Sequence, residues 1–302
     1  MVGLARTICG VTFKSPVLTA AGPNVATKDH VLAAISGGAG GIVTKTISVS
    51  PAQDPRPTIR KGPLGSLINC ETWSEKPVED SLPIFNAIKE KGLPLIVSIG
   101  YKPQEVTFLG KLLERDVHPD IIEFSTHYVG HEISPLIDVA KILRDVVSVP
   151  IWMKISPNIL DVQNLAKAAS QFVDGFVAIN SLGPVLDFDV EKPSPLLGST
   201  FGQGWMSGPP ILPIALRIVY ETSISQPKPV IGVGGIEKGE DAIKFFMTGA
   251  SLVQICSGAL KKGSAIYGTV SQEIEEWLEK HGYSSIDDVQ NKYIDAVKHL
   301  RH

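Results

Sequence analysis

Two lysines, Lys45 and Lys154, each close a short apolar run, GIVTK and PIWMK. A lysine at the end of a buried strand needs an anionic or electron-rich partner, or a lowered pKa. Two of them on one site could stabilise a reduced flavin ring, because hydride arriving at N5 leaves negative charge near N1. They could equally serve a Schiff-base aldolase, in which one cation lowers the pKa of the other. The plainest alternative is that both side chains reach from strand ends to solvent. Gly234-Gly235 and Cys256-Ser257 end two further apolar runs and leave bare backbone N–H groups there. Such groups suit a phosphate, although a Gly-Gly pair also makes an ordinary tight turn.

The elements that must position these residues follow from periodicity. Between Pro229–Val233 and Ser251–Ile255 lies Glu240–Thr248, with Ala242, Phe245, Phe246 and Gly249 at i, i+3, i+4 and i+7. That is the stripe of an amphipathic helix, and so short a crossover demands parallel strands. Six more apolar runs precede this unit. We number the strands β1 (Pro16–Ala21), β2 (Gly41–Lys45), β3 (Leu95–Ser98), β4 (Ile121–Phe124), β5 (Pro150–Lys154), β6 (Asp174–Ile179), β7 (Pro229–Val233) and β8 (Ser251–Ile255). Helical patterns alternate with them: Lys28–Ser36 capped by Thr27 and ended by Gly37-Gly38, Leu160–Phe172, and Ile211–Tyr220. A final helical pattern over Gly263–His281 stops at Gly282, and Ser285 with Asp288 suits a cap of one more short helix. Thr7–Phe13 reads as a hairpin closing the barrel floor. Residues 48–82 and 181–208 read as two long irregular loops, the kind that usually serve a site.

Eight short strands alternating with helices predict an α/β fold, a single-domain (β/α)8 TIM barrel over residues 1–302. A doubly wound sheet would want GxGxxG directly after β1, and AAGPNV is not that. In a barrel the site lies at the carboxyl ends of the strands. Lys45-Thr46, Ser98, Ser125, Lys154, Asn180-Ser181, Gly234-Gly235 and Cys256-Ser257 all gather there.

Composition excludes several other classes. The chain has 302 residues, 43 % of them hydrophobic, with a net charge of −3. No basic runs suggest a nucleic-acid surface. No apolar run suits a bilayer, and MVGLARTICG carries no secretory pattern, so a cytoplasmic protein without membrane attachment is expected. Cys9, Cys70 and Cys256 are far apart with no CxxC pair, which argues against disulfides, zinc and iron–sulfur clusters.

The blocks SPVLTAAGP, GGIVTKTIS, LINCETWSEK, MKISPNI, INS, GWMSGPPILPIALR and IGVGGI…DA…GASLVQICSG, in this order and spacing, resemble the dihydroorotate dehydrogenase family. The related barrel domain of dihydropyrimidine dehydrogenases is similar too. The resemblance runs from about Pro16 to Leu260, with similar C-terminal helices. It implies an FMN-dependent oxidoreductase of pyrimidine biosynthesis that oxidises dihydroorotate, or a similar dihydropyrimidine, by proton removal and hydride transfer. It places the FMN phosphate at Gly234-Gly235 and Cys256-Ser257, helped by Ser207-Gly208. The ring would rest on Ala20-Ala21 and Ile179, with Lys45, Thr46, Asn69 and Lys154 around its polar edge. Asn69, Asn180 and Ser181, with Lys45, would hold the substrate, since amides can donate to and accept from a cyclic ureide.

The β4 loop departs from the family pattern. Members read roughly Asn-x-Ser-Cys-Pro-Asn, or Ser for Cys, and that Cys or Ser is the base. Here the stretch is Ser125-Thr126-His127-Tyr128-Val129-Gly130. Tyr128 takes the base position and is the first candidate for acid–base work beside Lys45 and Lys154. His127 and His131 compete with it, having pKa values nearer neutrality. A changed substrate, or a flavin protein without turnover, is the remaining alternative. No iron–sulfur or NAD motif is present, so fumarate, a quinone or an electron-transfer partner subunit all stay open as acceptor. Soluble members are often homodimers. Trp73, Trp152 and Trp205 read as packing or lid residues, and Cys70, Arg56, Arg60, Tyr101 and Lys102 are given no role.

Overall fold

The computed structural model describes residues 2–100, 102–125, 130 and 132–300. Its centre is an eight-stranded parallel sheet: β1 (Val17–Thr19), β2 (Ile42–Val43), β3 (Leu95–Ile99), β4 (Ile121–Ser125), β5 (Ile151–Ile155), β6 (Gly175–Ala178), β7 (Val230–Val233) and β8 (Ala250–Ile255). Pairing runs β1-β8-β7-β6-β5-β4-β3-β2. The seam between β1 and β2 is closed by Thr19 N–H to Gly41 O, 3.3 Å, and Gly40 N–H to Val17 O, 2.9 Å. The Thr19 hydroxyl finishes the seam, donating to Val43 O at 2.9 Å and accepting from Val43 N–H at 2.8 Å. The expected (β/α)8 barrel is therefore the fold.

Side chains alternate across each strand, and that alternation organises the interior. Leu18, Val43, Ile96, Ile121, Trp152, Val177, Ile231 and Leu252, one from each strand, form a single buried cluster inside the barrel. Their neighbours on the outer face, such as Val17, Ile42, Val97, Phe124 and Met153, pack against the surrounding helices. Both faces are buried, which is why the strands read as continuous apolar runs.

The barrel floor is closed as expected. Arg6–Ile8 and Val11–Phe13 pair antiparallel around Cys9-Gly10, both with positive φ, the geometry of a two-residue hairpin turn. The hairpin carries Phe13 under the barrel, where its ring stacks on Trp152 with centroids 6.2 Å apart.

Thr27 caps Lys28–Ser36, accepting from His30 N–H at 3.2 Å. Ser285 and Asp288 form a capping box. Several helix bounds move: Leu160–Phe172 shortens to Val162–Ala169, Gly263–His281 to Ile266–Lys280, and Ile211–Tyr220 becomes Leu212–Ser225. The last helix runs on because Ile218, Val219 and Thr222 keep a buried stripe beyond the stretch read from sequence. No helix among the described residues is long and apolar enough to cross a membrane.

The two long insertions are less irregular than they read. Together they build a four-stranded antiparallel sheet at the barrel mouth, in the order Leu182–Val185, Gly204–Ser207, Leu67–Asn69, Ile59–Lys61. Each strand has three or four residues, too short for a period to show among the surrounding Pro, Gly and Ser.

Candidate active site

A cleft of about 930 Å³, its open mouth included, lies at the carboxyl ends of the barrel strands under the mouth sheet. The alternation that fills the barrel also makes the floor of this cleft. Two residues beyond the interior layer, the same inward face presents Ala20, Lys45, Lys154, Ile179, Val233 and Gln254 to the cleft. Glu123 occupies the equivalent position on β4 and is fully buried beside them.

Lys154 does not reach solvent. Its Nζ lies 3.3 Å from Glu123 Oε1 and 3.5 Å from Gln254 Oε1, and Gln254 Nε2 donates to Glu123 Oε2 at 2.8 Å. The lysine and glutamate side chains are 4 % and 0 % exposed. A buried ion pair is tolerated only when further hydrogen bonds satisfy its remaining atoms. Gln254 serves that purpose from across the barrel.

Lys45 lies nearer the mouth. Its ammonium donates to Glu71 Oε2 at 3.1 Å and to Thr72 O at 3.4 Å. Thus both lysines predicted to share a site line one cleft, and each already holds a carboxylate of this chain. Sequence reasoning missed Glu123, Gln254 and Glu71. The first two were signalled as lone polar residues at inward positions of the apolar strands IIEFS and ASLVQI.

Gly234 and Gly235 turn the chain away at the end of β7, with φ of +133° and +76°. A Cβ on Gly235 would stand 2.9 Å from Gly208 O and 2.9 Å from Leu212 Cβ. No hydrogen bond from the Gly234 or Gly235 N–H is formed among the described residues. With Ser207, Gly208, Cys256 and Ser257 on the same cleft, these glycine amides form a cradle suited to an anion. The Cys256 thiol is pushed up to about 11 by burial, although Lys154 and Lys45 oppose the shift. It is a neutral thiol at physiological pH rather than a nucleophile.

The remaining sequence candidates fall into the same wall. Ala21 and Thr46 line the cleft, and Thr46 Oγ1 is 2.9 Å from Ser98 Oγ. Asn69 faces the cleft from the mouth sheet, its Nδ2 donating to Trp205 O at 3.1 Å. Asn180 donates to Ser125 Oγ at 3.3 Å and accepts from Ser181 N–H at 2.9 Å. All three of these β4 and β6 groups line the cleft. Tyr128, His127 and His131 lie outside the described residues.

Of the residues given no role, Tyr101 lies outside the described residues, and Cys70, Arg56 and Lys102 have local partners. Cys70 is buried with Ile68 and Leu197, which pushes its thiol up. Arg56 pairs with Glu75 at 2.6 Å on the exposed loop, and Lys102 sits 5.2 Å above the Trp73 ring.

Comparison with known proteins agrees with this geometry. A family model described as dihydroorotate dehydrogenase matches residues 129–278. The chain is 35 % identical over 291 residues to a Pyrococcus furiosus protein named dihydroorotate dehydrogenase B (NAD(+)), catalytic subunit, covering 93 % of this chain and 95 % of that protein. Proteins of the same name from Methanothermobacter thermautotrophicus and Methanocaldococcus jannaschii are 30 % and 33 % identical over 298 and 294 residues. Those matches cover 95 % and 92 % of this chain, and 97 % and 94 % of the two relatives. The chain belongs to the dihydroorotate dehydrogenase family.

Proposed function

We propose that this protein oxidises a dihydropyrimidine, dihydroorotate or a similar ring, at the CH–CH bond of the ring, with flavin mononucleotide held in the cleft. The observation that carries the reading is one cleft with a glycine cradle for an anion at one side and the buried Lys154 ammonium in its floor. The residues present fit that cofactor. Gly234, Gly235, Gly208 and Ser257 would hold its phosphate, Ala20, Ala21 and Ile179 would face the flat ring, and Lys45, Thr46 and Lys154 would meet its polar edge.

When bound, the flavin supplies the two-electron acceptor for the hydride that leaves one ring carbon. The chain must supply everything else. A base removes the proton from the neighbouring carbon, and Tyr128 on the β4 loop is the first candidate, with His127 and His131 as competitors. Asn69, Asn180 and Ser181 orient the ring through neutral hydrogen bonds. Lys154, fixed by Glu123 and Gln254, holds a positive charge at the floor of the cleft without needing to move. The relatives are named as catalytic subunits, which supports a partner subunit as the route by which electrons leave.

The test is a visible spectrum of the purified protein, followed by anaerobic dihydroorotate. A flavin spectrum that bleaches supports the reading. A flavin that stays oxidised removes dihydroorotate as substrate, and a colourless protein that FMN cannot reconstitute rejects the cofactor. Gly235→Ala probes the cradle directly. Left-handed backbone costs a residue with a Cβ about 1–2 kcal/mol, and the new methyl would press on Gly208 O. Titration of the flavin-free variant with FMN is expected to give a Kd raised about tenfold or more. An unchanged Kd would place the phosphate elsewhere.

A further inference from the structure

We propose that Glu71 is a specificity-determining residue that biases this cleft toward an uncharged pyrimidine ring and against a ring bearing a carboxylate. The inference rests on the reading of the cleft as a dihydropyrimidine site and adds a substrate preference to it. Among the described residues that line the cleft, Lys45 and Lys154 are the cationic side chains. Lys154 is already neutralised by Glu123 at 3.3 Å. Lys45 is neutralised by Glu71 at 3.1 Å, with the two side chains only 15 % and 18 % exposed. No lysine charge in the described part of the cleft is left over for an incoming carboxylate.

Position makes Glu71 more than a neutraliser. It lies two residues past Asn69, and both line the cleft. A ring held by Asn69 therefore sits beside the Glu71 carboxylate. A ring substituent of like charge must compete with Glu71 for Lys45, or displace it, in a partly buried setting where charges are poorly screened. An otherwise identical ring without the carboxylate meets no such opposition. A repulsive element of this kind is one of the two routes to specificity between near-identical ligands.

Dihydroorotate and dihydrouracil differ by that one carboxylate, as do their products orotate and uracil. The experiment is calorimetric binding of orotate and uracil to the purified protein, to Glu71→Gln, and to Glu75→Gln as a control. Glu75 is an acid of the same loop, but it is exposed and held by Arg56. Glu71→Gln keeps a hydrogen-bond acceptor for Lys45 and removes the charge. Its ratio of orotate to uracil affinity is expected to rise about tenfold or more over wild type, with the Glu75→Gln ratio unchanged. An unchanged ratio in Glu71→Gln, an equal rise in Glu75→Gln, or no binding of either ring by any of the three proteins overturns the proposal. If the ratio moves as expected and yet neither dihydropyrimidine reduces the flavin, the preference set by Glu71 stands and the proposed reaction falls.

Discussion

Glu123→Ala is expected to destabilise the folded protein by about 3–5 kcal/mol, the range seen when one partner of a buried ion pair is removed. The carboxylate it deletes is fully buried and contacts both Lys154 and Gln254. Its loss would leave a buried ammonium in the barrel interior without its paired carboxylate. The measurement is urea unfolding, read as a lower midpoint at an unchanged slope. Glu123→Gln retains the shape and one acceptor, and is expected to lose less. The informative companion is the double replacement Glu123→Leu with Lys154→Met. Apolar residues of similar volume in place of a buried pair are often neutral or stabilising, so the double variant should recover most of the loss. A Glu123→Ala protein within about 1 kcal/mol of wild type would show that the pair is well solvated, against its burial.

The same double variant separates folding from chemistry. Under the proposed flavin reaction, Lys154→Met, alone or with Glu123→Leu, is expected to slow substrate-dependent flavin reduction about 10²–10³-fold, the usual effect of deleting one fixed charge or donor aimed at developing charge. In the single variant part of the loss could be ascribed to a damaged fold. In the double variant stability returns and the rate does not. Stopped-flow reduction under anaerobic conditions reads the step directly. If the stabilised double variant reduces its flavin at the wild-type rate, Lys154 is a structural residue of the barrel and has no part in the reaction.

Much of the architecture was legible because parallel strands buried on both faces leave an unmistakable mark. Each of the eight barrel runs is apolar, and the strand-end residues Lys45, Lys154, Asn180, Gly234 and Cys256 could be assigned to one end of one barrel before any coordinates. Their convergence on a single cleft follows from topology alone. What stayed hidden has two physical causes. The mouth sheet is held by pairings such as Trp205 with Asn69, and no local pattern in three-residue strands announces a partner so far along the chain. Glu123 and Gln254 were overlooked for a different reason. A polar residue in an apolar run reads as an imperfection until the two-residue alternation is followed through neighbouring strands. Once it is, Glu123 two residues after Ile121 and Gln254 two residues after Leu252 both fall on the inward face, where a buried polar group requires a partner.

The roof over the cleft is stitched from segments far apart in the chain: the side chain of Asn69 bonds the backbone of Trp205, 136 residues away. Contacts of that span are entropically expensive to close and reward the chain only after the intervening strands are in place. The helices and neighbouring strand pairs, whose contacts are local, can form early. The roof cannot. The cleft wall that carries Asn69 and Glu71 is therefore a property of the completed molecule, and a chain released before residue 204 would carry most of the barrel and lack the strand on which that wall depends.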